Sequence, residues 1–326
     1  MSSSPSHAEL PLGAVAGDPA DTGHLVGAPA DATQHVAGRP STRRADFVAL
    51  TKPRLNFLVL LTTLAAYALG SRPESTVMEL LHTLLGTFLV AAGSSALNQV
   101  WERDTDRLMG RTRFRPMPDM RLKPREAVIF GVALSIIGAV ELGLFVNLLS
   151  AVVALLTSAS YVLFYTPLKI RTSLSTIAGA VPGALPAVIG WTAATNSMSI
   201  EAWVLFAIVF MWQMPHFLAI AWMYRDEYAR AGIRLLPVIE PSGRSTGRQA
   251  VLYTAALLPV SLLPTIVGLA TAWYLAGALL LGAVLMVLAI EFSSTRTHDA
   301  ARRLFFGSIL YLPLLWALLV GDHFAH

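Results

Sequence analysis

The stretch Asn98 to Pro118, NQVWERDTDRLMGRTRFRPMP, gathers the side chains best suited to chemistry. It continues an apolar run, Leu80 to Leu97, that is long enough to cross a bilayer. Continued as a helix, it sets Asn98, Glu102 and Asp106 at i, i+4 and i+8, on one face. Oxygen donors grouped this way suit a hard cation such as Mg²⁺, which commonly binds through one or two carboxylates together with substrate phosphates. Arg111, Arg113 and Arg115 follow at once, and the planar guanidinium fork matches phosphate oxygens. A metal-binding face running into an arginine cluster at a membrane surface points to a diphosphate with an apolar tail. Asp104 falls about 200° round from that face and is expected to be solvated. Charged loops between membrane helices are ordinary, so the rest of the chain must carry the case.

The elements that position these residues are membrane helices. Hydrophobic residues make up 55% of the 326 and charged residues 13%. Mean hydropathy is +0.59. These values imply an all-α polytopic membrane protein. Apolar runs near 47–69, 80–101, 125–146, 148–165, 173–191, 203–222, 250–269, 273–290 and 304–320 predict nine transmembrane helices. Only a tight turn at Asn147 separates the third from the fourth. With no Cys in the chain, disulfides, thiolate metal sites and cysteine nucleophiles are excluded. The net charge of +4 could suggest nucleic acid, but the positive-inside bias of membrane proteins is the simpler cause.

Alternate segments hold 23 of the 24 basic residues and leave Arg72 alone on the other side. The loops after helices 2, 4, 6 and 8 are therefore expected in the cytoplasm, with the N-terminus cytoplasmic and the C-terminus external. Residues 1–40, rich in Ala, Gly, Pro and Ser, are expected to form a disordered tail ahead of one intramembrane domain, 41–326. The tail lacks the apolar core of a signal peptide, and its four acidic residues argue against a transit peptide.

Two further constellations lie on the same side. Loop 4 opens YVLFYTPLKIRT from Tyr161, which brings Lys169 and Arg171 to the surface within reach of a diphosphate. Helix 6 and loop 6 read WQMPHFLAIAWMYRDEYARAGIRLLPV from Trp212. His216 lies within the apolar run beside Pro215, and an ionisable residue there is a functional candidate. Its alternative is a hydrogen bond to a neighbouring helix across the bend at Pro215. Helix 5 carries Gly179-x-x-x-Gly183 with Pro182 and Pro186, for which close helix packing is the expected role. Glu141, near the external end of helix 3, reads as interfacial.

These motifs resemble the UbiA superfamily of intramembrane prenyltransferases, and within it the haem-farnesylating branch. The superfamily's first acidic motif is matched by Asn98-x-x-x-Glu102-x-x-x-Asp106. The branch is marked by RT-x-x-RP (Arg111, Thr112, Arg115, Pro116), by YTPLK-x-RT (Tyr165 to Thr172), and by WQ-x-PHF leading to D-x-Y-x-x-AG and LPV. The resemblance runs from about Thr51 to the C-terminus. It implies a UbiA-type bundle with its active site at the cytoplasmic side of a bacterial plasma membrane. It also implies farnesyl diphosphate and haem b as substrates, haem O as product, and a downstream haem O oxidase as a candidate partner.

The resemblance assigns Asn98, Glu102, Asp106 and Asp226 to Mg²⁺. Lys169, Arg171, Arg111 and Arg115 fall to the diphosphate, and His216 joins Lys169 and Arg171 as catalytic. Tyr161, Phe164, Tyr165 and Trp212 are candidates to shield an allylic cation. The chain departs from the superfamily where Arg230 stands four residues after Asp226, so the second acidic motif rests on Asp226 with Glu227 beside it. Two rivals remain at this stage. One is a UbiA-type enzyme that prenylates an aromatic quinone precursor. The other is a transporter, whose polar site would sit near the midplane rather than at helix ends.

Overall fold

The computed structural model describes residues 42–326, so the expected tail lies outside the described residues. Among those residues the fold is helical, and nine helices are long and apolar enough to cross a membrane. In chain order the elements are α1 (Arg43–Leu50), α2 (Pro53–Gly70), α3 (Val77–Arg107), α4 (Pro124–Phe145) and α5 (Leu148–Ala159). A π-helical segment, Ser160–Tyr165, and one further turn, α6 (Thr166–Leu168), prolong α5. Then come α7 (Ser175–Thr195), α8 (Ile200–Met223), α9 (Arg225–Arg230), α10 (Leu236–Ile239), α11 (Arg244–Ile266), α12 (Ala272–Thr295) and α13 (His298–Ala325).

Two boundaries differ from the expectation. The run 47–69 is not one helix: the chain breaks at Thr51 and Lys52, because Pro53 starts α2 as its first residue. Lys52 takes the left-handed conformation at φ 47°, a strain of about 1–3 kcal/mol for a residue with a side chain. Gln99 Nε2 ties the end of α1 to α3 by donating to Leu50 O at 2.9 Å. The acidic stretch extends α3 to Arg107, so Asn98, Glu102 and Asp106 do belong to one continuous helix. The turn at Asn147 is as expected. Its side chain caps α5 by accepting from Ser150 N at 2.9 Å.

The helices form a closed circuit. α3 packs on α4, α4 on α5, α5 on α7, and α7 on α2 and α8. α8 packs on α11 and α13, α12 lies between those two, and α13 returns to α2. Glycine allows a close approach between α3 and α4. A Cβ at Gly86 would come within 3.0 Å of Gly138 O, and one at Gly138 within 2.6 Å of Gly86 O. Backbones meet there because no side chain intervenes. Gly179 and Gly183 behave differently. A Cβ at Gly179 would lie 2.5 Å from the Tyr165 ring, and one at Gly183 would strike the Gln213 amide. That pair makes room for side chains, not for a second backbone. α7 meanwhile runs unbroken through Pro182 and Pro186.

The circuit encloses an apolar cavity of about 530 Å³ between α2, α3, α5, α7, α8 and α13. That volume lies within the ~300–1,000 Å³ typical of small-molecule sites.

Candidate active site

At one end of the cavity α3 brings its acidic face against the π segment and the residue just before α2. A π turn carries one residue more than an α turn, and the two tyrosines four positions apart in this one lie on the same side. The Tyr161 and Tyr165 rings meet at a tilt with their centres 5.4 Å apart, and both line the cavity. Asn98 is fully buried and serves as a hub. Its Oδ1 accepts from Lys52 Nζ at 2.8 Å and from the Tyr161 hydroxyl at 3.3 Å. Its Nδ2 donates to Thr166 Oγ1 at 3.1 Å, and Thr166 in turn donates to Tyr161 O at 2.8 Å.

One turn on, Glu102 accepts from Lys169 Nζ at 2.5 Å, and Lys169 lies 4.5 Å from the centre of the Tyr165 ring. Asp106 is buried and accepts from Arg115 Nη1 at 2.9 Å. The RT-x-x-RP stretch folds back to make this pair: the Thr112 hydroxyl donates to Asp106 O at 2.7 Å, which closes the end of α3. Each donor on the acidic face therefore meets its own cation. Burial lowers the Lys52 pKa to about 8, with Glu102 opposing and Arg115 and Lys169 adding to the shift. Burial also acts against the Lys169 ammonium, but Glu102 and the two tyrosines outweigh it and raise its pKa well above the ordinary value.

Among the described residues no three His, Cys, Asp or Glu side chains form a metal cage on their own. A Mg²⁺ ion shared with a diphosphate needs only one or two carboxylates from the protein. Glu102 and Asp106, oxygen donors surrounded by phosphate-matching cations, fit that requirement.

The remaining expected residues are more dispersed. Arg171 is exposed and shares a small cleft with Glu102 and Lys169. Arg111, in loop 2, is held against loop 6: its Nη2 donates to the Tyr228 hydroxyl at 3.2 Å and its guanidinium lies 4.8 Å from the centre of the Tyr224 ring. Asp226 stands apart from the acidic face: its side chain is 88% exposed and its near neighbour is Arg225, at 3.8 Å. The loop-6 carboxylate that turns toward loop 2 is Glu227, which accepts from Arg111 N at 3.4 Å. On the six-residue α9 the two acids are adjacent, so they point in different directions. Asp104 is 75% exposed beside Arg103, as its angle on the helix requires.

Of the aromatic candidates, Tyr161, Tyr165 and Trp212 line the cavity, whereas Phe164 is 66% exposed and faces away from it. His216 lies on the cavity wall, with Nδ1 2.8 Å from Ser308 Oγ. Two residues went unnoticed in the sequence. Lys52 resembled one more basic residue of a positive loop, although Pro53 after it marks a helix start. Arg54 lines the cavity rim and has no hydrogen-bond or ion-pair partner among the described residues. At the opposite end, His82 Nδ1 and Glu141 Oε1 pair at 2.7 Å, consistent with an interfacial Glu141.

Comparison with known proteins agrees with this geometry. The description "UbiA prenyltransferase family" matches residues 59–315. A protoheme IX farnesyltransferase of Solibacter usitatus is 49% identical over 286 residues, spanning 85% of this chain and 98% of the relative. The enzyme of that name from Myxococcus xanthus is 45% identical over 282 residues, spanning 86% and 95%. Among solved structures, a digeranylgeranylglyceryl phosphate synthase superposes with a TM-score of 0.73 at 16% identity, covering 86% of this chain and 98% of its own. A UbiA homologue from Archaeoglobus fulgidus bound to GPP and Mg²⁺ superposes with a TM-score of 0.60 at 15% identity, covering 84% and 99%. The two solved structures speak for the fold, and the family match over most of the chain speaks for descent. This chain belongs to the UbiA prenyltransferase family.

Proposed function

We propose that this protein transfers the farnesyl group of farnesyl diphosphate to a vinyl group of haem b, with addition of water, to give haem O. The observation that carries the reading is the junction itself: carboxylates and cations cap an apolar, aromatic cavity with a histidine on its wall. The names of the 45–49% identical relatives support the choice of donor and acceptor.

In this reading the diphosphate sits at the polar end and the isoprenoid chain enters the cavity. Mg²⁺ would be held by Glu102 and Asp106 with Asn98 adjoining, and when bound it supplies positive charge to the leaving diphosphate. Asp226 would have to turn inward to take part. Lys169, Lys52 and Arg115 already face this end and stabilise the charge that grows on diphosphate as the allylic carbon–oxygen bond breaks. Arg171 and Arg111 add cations at the outer edge. The Tyr161, Tyr165 and Trp212 faces shield the allylic cation, and the apolar walls delay water. The terminal vinyl carbon of the acceptor attacks that cation. The new cation next to the tetrapyrrole takes up water and loses a proton, leaving the hydroxyl. Arg54 at the rim suits an acceptor carboxylate.

The polar end faces the cytoplasm in a bacterial inner membrane, since the loops there hold nearly all the basic residues. A downstream haem O oxidase is the expected partner. The test is mass spectrometry of product from farnesyl diphosphate offered with haem b or with 4-hydroxybenzoate. Haem O is the expected product. Prenylated benzoate alone would reassign the acceptor, and transport of intact diphosphate without consumption would reject an enzyme.

A further inference from the structure

The wall of the cavity beside His216 holds a proton arrangement that can be deduced from two distances. Ser308 is fully buried on α13. Its Oγ lies 2.7 Å from Phe305 O and 2.8 Å from His216 Nδ1. A serine hydroxyl has one proton to give, and a carbonyl has none. An oxygen–oxygen contact of 2.7 Å therefore needs the serine proton between its atoms. The Ser308 oxygen is left to accept, so the proton of the second contact belongs to His216 Nδ1. A single arrangement satisfies both contacts: Nδ1–H donates to Oγ, and Oγ–H donates to Phe305 O.

The other ring nitrogen follows. With the proton on Nδ1, neutral His216 carries a bare lone pair on Nε2. No protein group engages Nε2 among the described residues, and the residue lines the cavity. The ring is held still as well. Trp212 stacks against it at 5.3 Å and Phe305 at 5.0 Å, while Trp212 Nε1 donates to Ser308 O at 2.7 Å. A nitrogen lone pair with fixed direction on an otherwise apolar wall cannot donate a hydrogen bond to a carboxylate. It is fitted to a Lewis acid.

We propose that Ser308 is a positioning residue that locks His216 as the Nδ1–H tautomer and so presents Nε2 as an axial ligand to the iron of the tetrapyrrole acceptor. This rests on haem b being the acceptor. It assigns the donated Nδ1 hydrogen bond the role that outer partners play at histidine metal ligands, where they fix the tautomer and raise ligand basicity.

The test is resonance Raman spectroscopy of ferrous haem b bound to the full chain, for wild type and for Ser308→Ala, Ser308→Thr and His216→Ala. Haem b and farnesyl diphosphate affinities and haem O yield are measured beside it. Wild type should show an iron–histidine stretching band that His216→Ala abolishes. Ser308→Ala should lower its frequency and weaken haem b binding by about 10- to 100-fold, with farnesyl diphosphate binding unchanged. Ser308→Thr, which keeps the hydroxyl, should restore both. If Ser308→Ala does not fold, Ser308→Cys, a weaker acceptor, serves the same comparison. A wild type that makes haem O without an iron–histidine band, or with a band that the Ser308 variants leave unmoved, overturns the inference and leaves the acceptor reading intact. A wild type that neither binds haem b nor makes haem O removes the acceptor reading, and the inference with it.

Discussion

Lys52 and Asn98 stand 46 positions apart in the chain, yet Lys52 Nζ donates to Asn98 Oδ1 at 2.8 Å. This contact depends on the helix break before Pro53, which turns a surface lysine into the polar end of the cavity. With its pKa lowered to about 8, Lys52 is charged below that pH and loses its charge above it. Farnesyl diphosphate binding should therefore hold steady below about pH 8 and weaken above it. The loss should approach about 10- to 100-fold, the worth of one charge-assisted hydrogen bond. Lys52→Arg stays charged throughout and should flatten the profile, while Lys52→Met should bind weakly at every pH. Calorimetric titration across pH measures this. A fall near pH 8 that survives in Lys52→Arg would point to another group.

Asp106 and Asp104 provide a matched pair on one helix. Asp106 is buried against Arg115 and Asp104 is exposed beside Arg103. Asp106→Ala should lose most activity, on the order of 10² or more, and raise the Mg²⁺ concentration needed for half-maximal rate. Asp104→Ala should stay near wild type, and Glu102→Asp should retain part of the rate. Haem O formation against Mg²⁺ concentration separates these outcomes. Equal behaviour of the two Asp variants would dismiss a metal-binding face.

Lys169 and Glu102 should behave as one unit. Lys169→Met removes the cation proposed to stabilise the leaving diphosphate and should cost about 10²- to 10³-fold in kcat. Adding Glu102→Gln should cost less than it does alone, because the two groups are in contact. Additive effects in the double-mutant cycle would mean the pair does not act on diphosphate jointly. Lys169 stays charged well into alkaline pH, so its removal should not alter the position of the Lys52-dependent fall.

Membrane orientation can be read by labelling. Arg72 Nη2 donates to Thr195 O at 3.4 Å, so the loops after α2 and α7 share one end of the bundle. In this cysteine-free chain, single cysteines at Ser71 and Asn196 should label from the periplasm. Those at Arg113 and Ser242 should label from the cytoplasm. Periplasmic labelling of the second pair would invert the assignment.

Much of the architecture could be read from the sequence, because membrane helices announce themselves through apolar length and capping chemistry. Asn147 is an example: a polar residue between two apolar runs, with Ser150 N placed to donate to its side-chain oxygen. The Asn98, Glu102 and Asp106 face followed from helical spacing alone, since α3 is regular through that stretch. Direction was harder to read where regularity fails. Nothing in the spacing of Asp226 and Glu227 says which side of a six-residue helix faces loop 2. Phe164 lies among useful aromatics in sequence but points outward, because the π turn rearranges that side of the segment. The His216 proton arrangement depends on Ser308, 92 positions away, which no local pattern could connect.

The π turn at Ser160–Tyr165 makes the polar site a matter of counting. Its Tyr161 carbonyl accepts from the Thr166 hydroxyl, and Thr166 accepts from Asn98. Shortening the segment by one residue would let an ordinary helix close, and the Tyr161 carbonyl would take the amide four residues on in place of Thr166. Asn98 would then lose the anchored hydroxyl that holds its amide in place. No side chain need be lost for the catalyst to be dismantled. The reactive geometry is stored in a single surplus residue, so a one-residue deletion here should prove more damaging than many substitutions, even where every helix still spans its bilayer.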